Sequence, residues 1–122
     1  MRVDFETDVG VVRSSNQDSC DCGLFSPNSA WAIVCDGMGG ANGGNVASAL
    51  AVETIREEVL SGFDENMSKQ NLKNLMVNAI NRANEKVHET ALAQPELHGM
   101  GTTVVLLIAT KGTLHVAHIG GS

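Results

Sequence analysis

Six consecutive apolar residues, Ala30-Trp31-Ala32-Ile33-Val34-Cys35, run without a break into Asp36-Gly37-Met38-Gly39-Gly40. A continuous apolar run of that length, ended by charge and glycine, reads as a buried central strand that delivers a carboxylate into a loop. The rest of the chain has to cover that strand. Its periodicity predicts strand-rich ends around a helical middle, an α+β fold with antiparallel strands and two long helices packed on one sheet.

Val3 to Thr7 alternates apolar and polar, the mark of a half-buried strand, and Arg13-Ser14-Ser15-Asn16-Gln17-Asp18 is a polar loop. Asp21 to Phe25 predicts a short strand closed by the turn Ser26-Pro27-Asn28-Ser29. From Val46 the period becomes helical. Val46, Leu50, Val52, Ile55, Val59 and Leu60 form the apolar stripe, with Asn45 as N-cap and Gly62 as C-terminal stop. A second helix carries Leu72, Leu75, Met76, Ala79, Ile80, Ala83 and Val87, is capped by Ser68 and ends at Pro95. Thr102 to Ala109 is rich in branched side chains, and Leu114 to Ile119 returns after Thr110-Lys111-Gly112-Thr113, a hairpin signature.

Composition excludes several function classes. The chain of 122 residues is 43% hydrophobic, enough for one domain with a modest core. Tyr is absent and Trp31 is the single tryptophan, so that core rests on aliphatic residues. Eight basic residues are scattered in a chain of net charge −6, which is no footprint for nucleic acid or an anionic membrane. No stretch approaches the ~20 apolar residues that span a bilayer, and no signal-peptide segment opens the chain, so a cytoplasmic location is expected. The three cysteines then stay reduced. Cys20-Asp21-Cys22 is too tight for usual zinc spacing and reads as strand side chains.

Asp36 carries the first chemical signal. A carboxylate followed by glycines, where a backbone carbonyl can turn inward, suits hard oxygen-seeking cations such as Mg²⁺ or Mn²⁺. An Asp that merely caps a Gly-rich turn fits the same residues. Arg13 tips the balance, because its planar fork grips phosphate in a bidentate manner. Asn16, Gln17 and Asp18 follow on the same loop, with oxygens able to hold metal-bound waters.

Taken in order, these segments resemble the metal-dependent type 2C (PPM) Ser/Thr protein phosphatases in their compact bacterial form. Thr7-Asp8-Val9-Gly10-Val11-Val12-Arg13-Ser14-Ser15-Asn16-Gln17-Asp18 is similar to the family's first motif, and Val34-Cys35-Asp36-Gly37-Met38-Gly39-Gly40 to its second. Gly44-Asn45-Val46-Ala47-Ser48, Met100-Gly101-Thr102-Thr103 and Val116-Ala117-His118-Ile119-Gly120-Gly121-Ser122 resemble the segments that follow. The resemblance implies that residues 1–122 are the N-terminal half of the catalytic domain, half of a four-layer helix–sheet–sheet–helix sandwich. It implies hydrolysis of phosphoserine and phosphothreonine in phosphoprotein substrates of Ser/Thr kinases. Asp36 would bridge two Mn²⁺ or Mg²⁺ ions, and Gly37 would ligate one through its carbonyl. Asp18 would orient metal-bound water, and Arg13 would bind the substrate phosphate. A metal-activated water would attack phosphorus in line, with no phosphoenzyme.

Three departures qualify this. The family places Asp where this chain has Gly121, so a third metal site is expected to be missing or weak. The remaining primary metal ligands lie in the family's second half, so this length of chain is expected to bind metal weakly and to be inactive alone. Met38 stands where some members have histidine, which leaves no general acid to name. The alternative is a non-catalytic pseudophosphatase or regulatory binding module. A nucleotide loop over Gly37 to Gly44 fits neither the Walker pattern nor G-x-G-x-x-G spacing. His115 and His118 lie three apart on a strand, face opposite sides and cannot share a metal. Bare strand faces or edges predict self-association.

Overall fold

β2 (Ser29–Met38) and β3 (Gly101–Thr110) form the centre of one antiparallel sheet, and the alternation of their side chains decides where the core lies. The computed structural model describes residues 18–39 and 43–119. β1 (Asp18–Ser26) flanks β2, β4 (Thr113–Ile119) flanks β3, and the strand order is β1-β2-β3-β4. Helices α1 (Gly43–Gly62) and α2 (Lys69–Ala93) both lie in the connection between β2 and β3. A short 3₁₀ turn, Pro95–Leu97, links α2 to β3. The expected strand over Val3 to Thr7 lies outside the described residues.

One sheet face is the core. Trp31, Ile33 and Cys35 of β2 pair in register with Ile108, Leu106 and Val104 of β3, and all six are buried. Against them α1 sets Ala47, Ala51, Ile55 and Val59, and α2 sets Leu72, Met76, Ala79, Ile80, Ala83 and Val87. Burying one such large aliphatic chain contributes roughly 1.5–3 kcal/mol. The opposite face has a different fate. The cross-strand rows Leu24, Ala30, Ala109, Leu114 and Cys22, Ala32, Leu107, Val116 lie on it. Leu24, Val105, Leu114 and Val116 are exposed there.

The α2 stripe and its Ser68 cap match the sequence expectation, with Ser68 Oγ accepting the Asn71 N–H at 3.0 Å. The β3–β4 hairpin matches too. Lys111 and Gly112 both take positive φ, 52° and 74°, as a type I′ turn requires.

Other expectations need correction. β1 starts at Asp18 rather than Asp21, because its helix-facing side is polar and partnered. Ser19 Oγ hydrogen-bonds Ser48 Oγ at 3.0 Å, and Asp21 pairs with Arg56 at 2.7 Å. α1 begins at Gly43, so Asn45 lies in its first turn and is not the cap. Its core face runs through small residues, Ala47, Ser48 and Ala51, while Leu60 is 51% exposed. Gly62 does end α1, but without a positive φ; a Cβ there would sit 2.5 Å from Leu75 Cδ1, so glycine provides room for α2.

The α1–α2 connection is tied to the far end of the sheet. Glu65 accepts hydrogen bonds from Ser26 and from Ser29, the latter at 2.9 Å, and Ser29 also bonds Thr110 at 2.7 Å. Phe63 stacks on Phe25 with ring centroids 3.8 Å apart. This clasp holds the helices over one face and leaves the opposite end of the strands to carry the carboxylates.

Candidate functional site

Asp36 belongs to β2 itself and not to a loop beyond it. The strand continues through Gly37 and Met38, whose register partners are Thr102 and Gly101. Cys35 points into the core, so alternation turns Asp36 to the open face. There Asp36 faces Asp18 of β1 on one side and Thr103 of β3 on the other. Asp18, expected on a polar loop, is the first residue of β1.

Cβ atoms directly opposite in an antiparallel pair stand about 4.5–5.5 Å apart, and like charges placed there repel. A row with two half-buried carboxylates therefore favours positive charge beside it, whether a guanidinium or a metal ion. The donors are hard oxygens, the right chemistry for Mg²⁺ or Mn²⁺ and the wrong one for soft metals. Among the described residues no group of three or more His, Cys, Asp or Glu converges to hold a metal. Among the described residues the row thus offers two carboxylates, Asp18 and Asp36. Arg13 and Gln17, like Gly121, lie outside the described residues.

The turn after β2 has a physical reason for its glycines. Gly39 has φ 141°, and a Cβ on it would sit 3.0 Å from Met100 Cα. A Cβ on Gly43 would lie 3.1 Å from Met100 Cβ. Met100 is buried at this point, so glycine at 39 and 43 allows the end of β2 and the start of α1 to approach it closely. The end of β2, the start of α1 and the start of β3 are thereby fixed together, holding the Asp36 row. Thr103 and Met100 help to build this end of the sheet; the motif Met100-Gly101-Thr102-Thr103 contains both, but gives neither a role of its own. The only signal for them was the Gly-Met-Gly-Thr-Thr segment at the head of β3.

Cys35 adjoins Asp36 but is no nucleophile. Burial pushes its thiol up to about 12, while a hydrogen bond with Thr102 pulls the other way. Cys20 and Cys22 are strand residues, as expected, and the register turns both to the open side. His115 and His118 fall on opposite faces of β4. A cleft of about 290 Å³ between the helices is lined by Glu57, Glu58, Glu85 and Glu89 with Arg82 and Lys86. It lies on the helix side, away from the Asp18–Asp36 row.

The sequence matches the protein phosphatase 2C family over residues 11–122. It is 30% identical over 122 residues to a protein named serine/threonine phosphatase stp from Listeria welshimeri, covering all of this chain and 48% of that protein. It is 32% identical over 124 residues to protein phosphatase PhpP of Streptococcus pneumoniae, with the same coverage. The chain thus spans about half the length of the curated relatives it matches. Among solved structures, the Mycobacterium tuberculosis serine/threonine phosphatase PstP/Ppp superposes with a TM-score of 0.72 at 30% identity, over 92% of this chain and 43% of the other. Staphylococcus aureus Stp1 superposes with a TM-score of 0.79 at 27% identity, over 94% and 44%.

Proposed function

The chain belongs to the protein phosphatase 2C family, and from that premise we propose that it supplies one wall of a metal-dependent phosphoprotein phosphatase site acting on phosphoserine and phosphothreonine. The observation that carries the reading is the pairing of Asp18 with Asp36 across adjacent strands, on the face turned away from the helices.

Asp36 and the Gly37 carbonyl are the residues that would hold a divalent ion, Mn²⁺ or Mg²⁺, and the Asp18 carboxylate would orient and accept hydrogen bonds from water beside it. When bound, the metal supplies Lewis acidity and a water of lowered pKa. Arg13 would hold the substrate phosphate through its guanidinium fork, and Thr103 borders the row on β3. Cys35, held protonated in the core, takes no part, which agrees with direct attack by water rather than a covalent enzyme intermediate.

Substrates are phosphoproteins of Ser/Thr kinases, and the location is cytoplasmic; no described helix is long and apolar enough to cross a membrane. Residues 1–122 form the N-terminal half of the catalytic domain, with weak metal binding and no turnover by themselves. The exposed apolar face supports self-association at this chain length, read by size-exclusion chromatography with light scattering. A clean monomer at high concentration would count against it. A second reading, a non-catalytic module that binds a partner, is favoured by Gly121, which offers no carboxylate where the family has one.

The test is calorimetric titration with Mn²⁺ and a phosphopeptide assay, on this chain and on a version extended to the length of the relatives. The extended protein should bind Mn²⁺ and release phosphate, and Asp36→Asn should abolish both. Absence of activity from both lengths would sink the enzyme reading.

A further inference from the structure

The two outer strands are defended unequally. β1 carries Asp18 and Asp21, and its register with β2 shifts between Leu24 and Ser26. Charge and irregularity of this kind discourage another strand from adding to an edge. β4, Thr-Leu-His-Val-Ala-His-Ile, has no Asp, Glu, Lys, Arg or Pro, and its register with β3 runs unbroken from Val104↔Ile119 to Thr110↔Thr113. Among the described residues β4 ends the sheet.

Beside β4 runs a groove of about 500 Å³, with Lys69, Lys73 and Val77 on the α2 side and His115 and Val116 on the strand side. α2 opens on Lys69 and has no acidic residue in its first turn. Cations at the positive end of a helix dipole are unfavourably placed unless an anion joins them. Lys111 adds a third cation nearby, its Nζ donating to the Met67 carbonyl at 3.5 Å. Two of the eight basic residues of a chain with net charge −6 thus line this groove, and Lys111 reaches the chain two residues before Lys69.

We propose that this edge docks an extended acidic segment of a protein partner, added to the sheet as a strand beside β4. Main-chain hydrogen bonds to β4 give the affinity, and alternation gives the selectivity. Acidic side chains turn to the helix side, toward Lys69 and Lys73. Apolar ones turn to the open side, beside Leu114 and Val116, which are exposed there. A second copy pairing through its own β4 brings no acidic residue on that strand, so charge favours the acidic partner. The surface is separate from the Asp18–Asp36 row, so this proposal stands or falls independently of the phosphatase reading.

The probe is a capped peptide of β4's own length alternating valine and glutamate, added to the ¹⁵N-labelled chain while amide exchange is followed. It should slow exchange of alternate β4 amides, and Lys69→Glu with Lys73→Glu should weaken binding roughly tenfold. A version N-methylated on alternate residues along the pairing edge should lose the effect. Equal protection by a valine–lysine peptide would overturn the proposal. So would binding unchanged by the double charge reversal, or alternate β4 amides already protected without peptide.

Discussion

Three consecutive residues of β3 show how differently the faces of one sheet are used. Val104 and Leu106 point to the helices and are 1% and 0% exposed, whereas Val105 between them points away and is 36% exposed. The helix face is closed by aliphatic packing from α1 and α2. The other face presents Leu24, Leu114 and Val116, each more than half exposed, and at one end the Asp18–Asp36–Thr103 row. Packing is concentrated on one face, and the proposed chemistry lies on the other. That division lets the second face keep two opposed carboxylates, because nothing on it has to hold the helices in place.

The contrast can be broken most severely from the packed side. Leu106→Ala should lower unfolding free energy by about 3 kcal/mol, through lost burial and a residual cavity. Denaturant titration would read it, and a loss below about 1 kcal/mol would mean that the helices do not close on this face as described. Next comes the junction where the two faces meet. Gly39→Ala adds a Cβ against Met100 Cα at a φ of 141° and should cost about 2 kcal/mol, with little relief from side-chain repacking because the obstacle is backbone.

A titration sharpens the comparison further. Cys35 stays protonated in the folded chain up to about pH 12, while its unfolded value is near 9.0. Below pH 9 the thiol is neutral in both states and its stabilising contribution is fully present. Above that the unfolded chain loses the proton first. Stability should therefore fall from about pH 9 towards 12, by up to about 1.4 kcal/mol per pH unit from this group. Cys35→Ala should flatten that part of the profile in paired denaturation curves. An identical slope in the two proteins would place Cys35 outside the dry core. The smallest effect is expected on the open side, where Val105→Ala should change stability by no more than about 0.5 kcal/mol. A cost matching that of Leu106→Ala would mean this face is covered in solution.

The same division explains what the sequence could show. Elements whose buried side is plainly apolar were legible: β2 from its unbroken run, α2 from its Leu72-to-Val87 stripe, and β3–β4 from branched residues around Lys111-Gly112. β1 was read three residues short because its pattern is inverted. Its helix-facing positions, Ser19, Asp21 and Gly23, are polar or tiny, satisfied by Ser48, by Arg56 and by the Trp31 ring, while Cys20, Cys22 and Leu24 face outward. No single-strand pattern announces that partners on another element will satisfy the polar side. On α1 the stripe reading holds at Val52, Ile55 and Val59, which are buried; it misses Ala47, Ser48 and Ala51, because close approach to the sheet selects small residues there, while Leu60 stays exposed. At the site, the motifs named Asp18, Asp36 and Gly37. The row that Asp18 and Asp36 share with Thr103 depends on register, which sequence spacing alone does not fix.

The opposed carboxylates are best tested by paramagnetic broadening. Mn²⁺ would be titrated into the ¹⁵N-labelled chain and into its Asp36→Asn variant. Broadening should appear first at the amides of Asp18, Asp36, Gly37 and Thr103, and disappear in the variant. Broadening centred instead on the glutamates of the inter-helix cleft, Glu57, Glu58, Glu85 and Glu89, and unchanged by Asp36→Asn, would contradict the assignment of the metal to the open face.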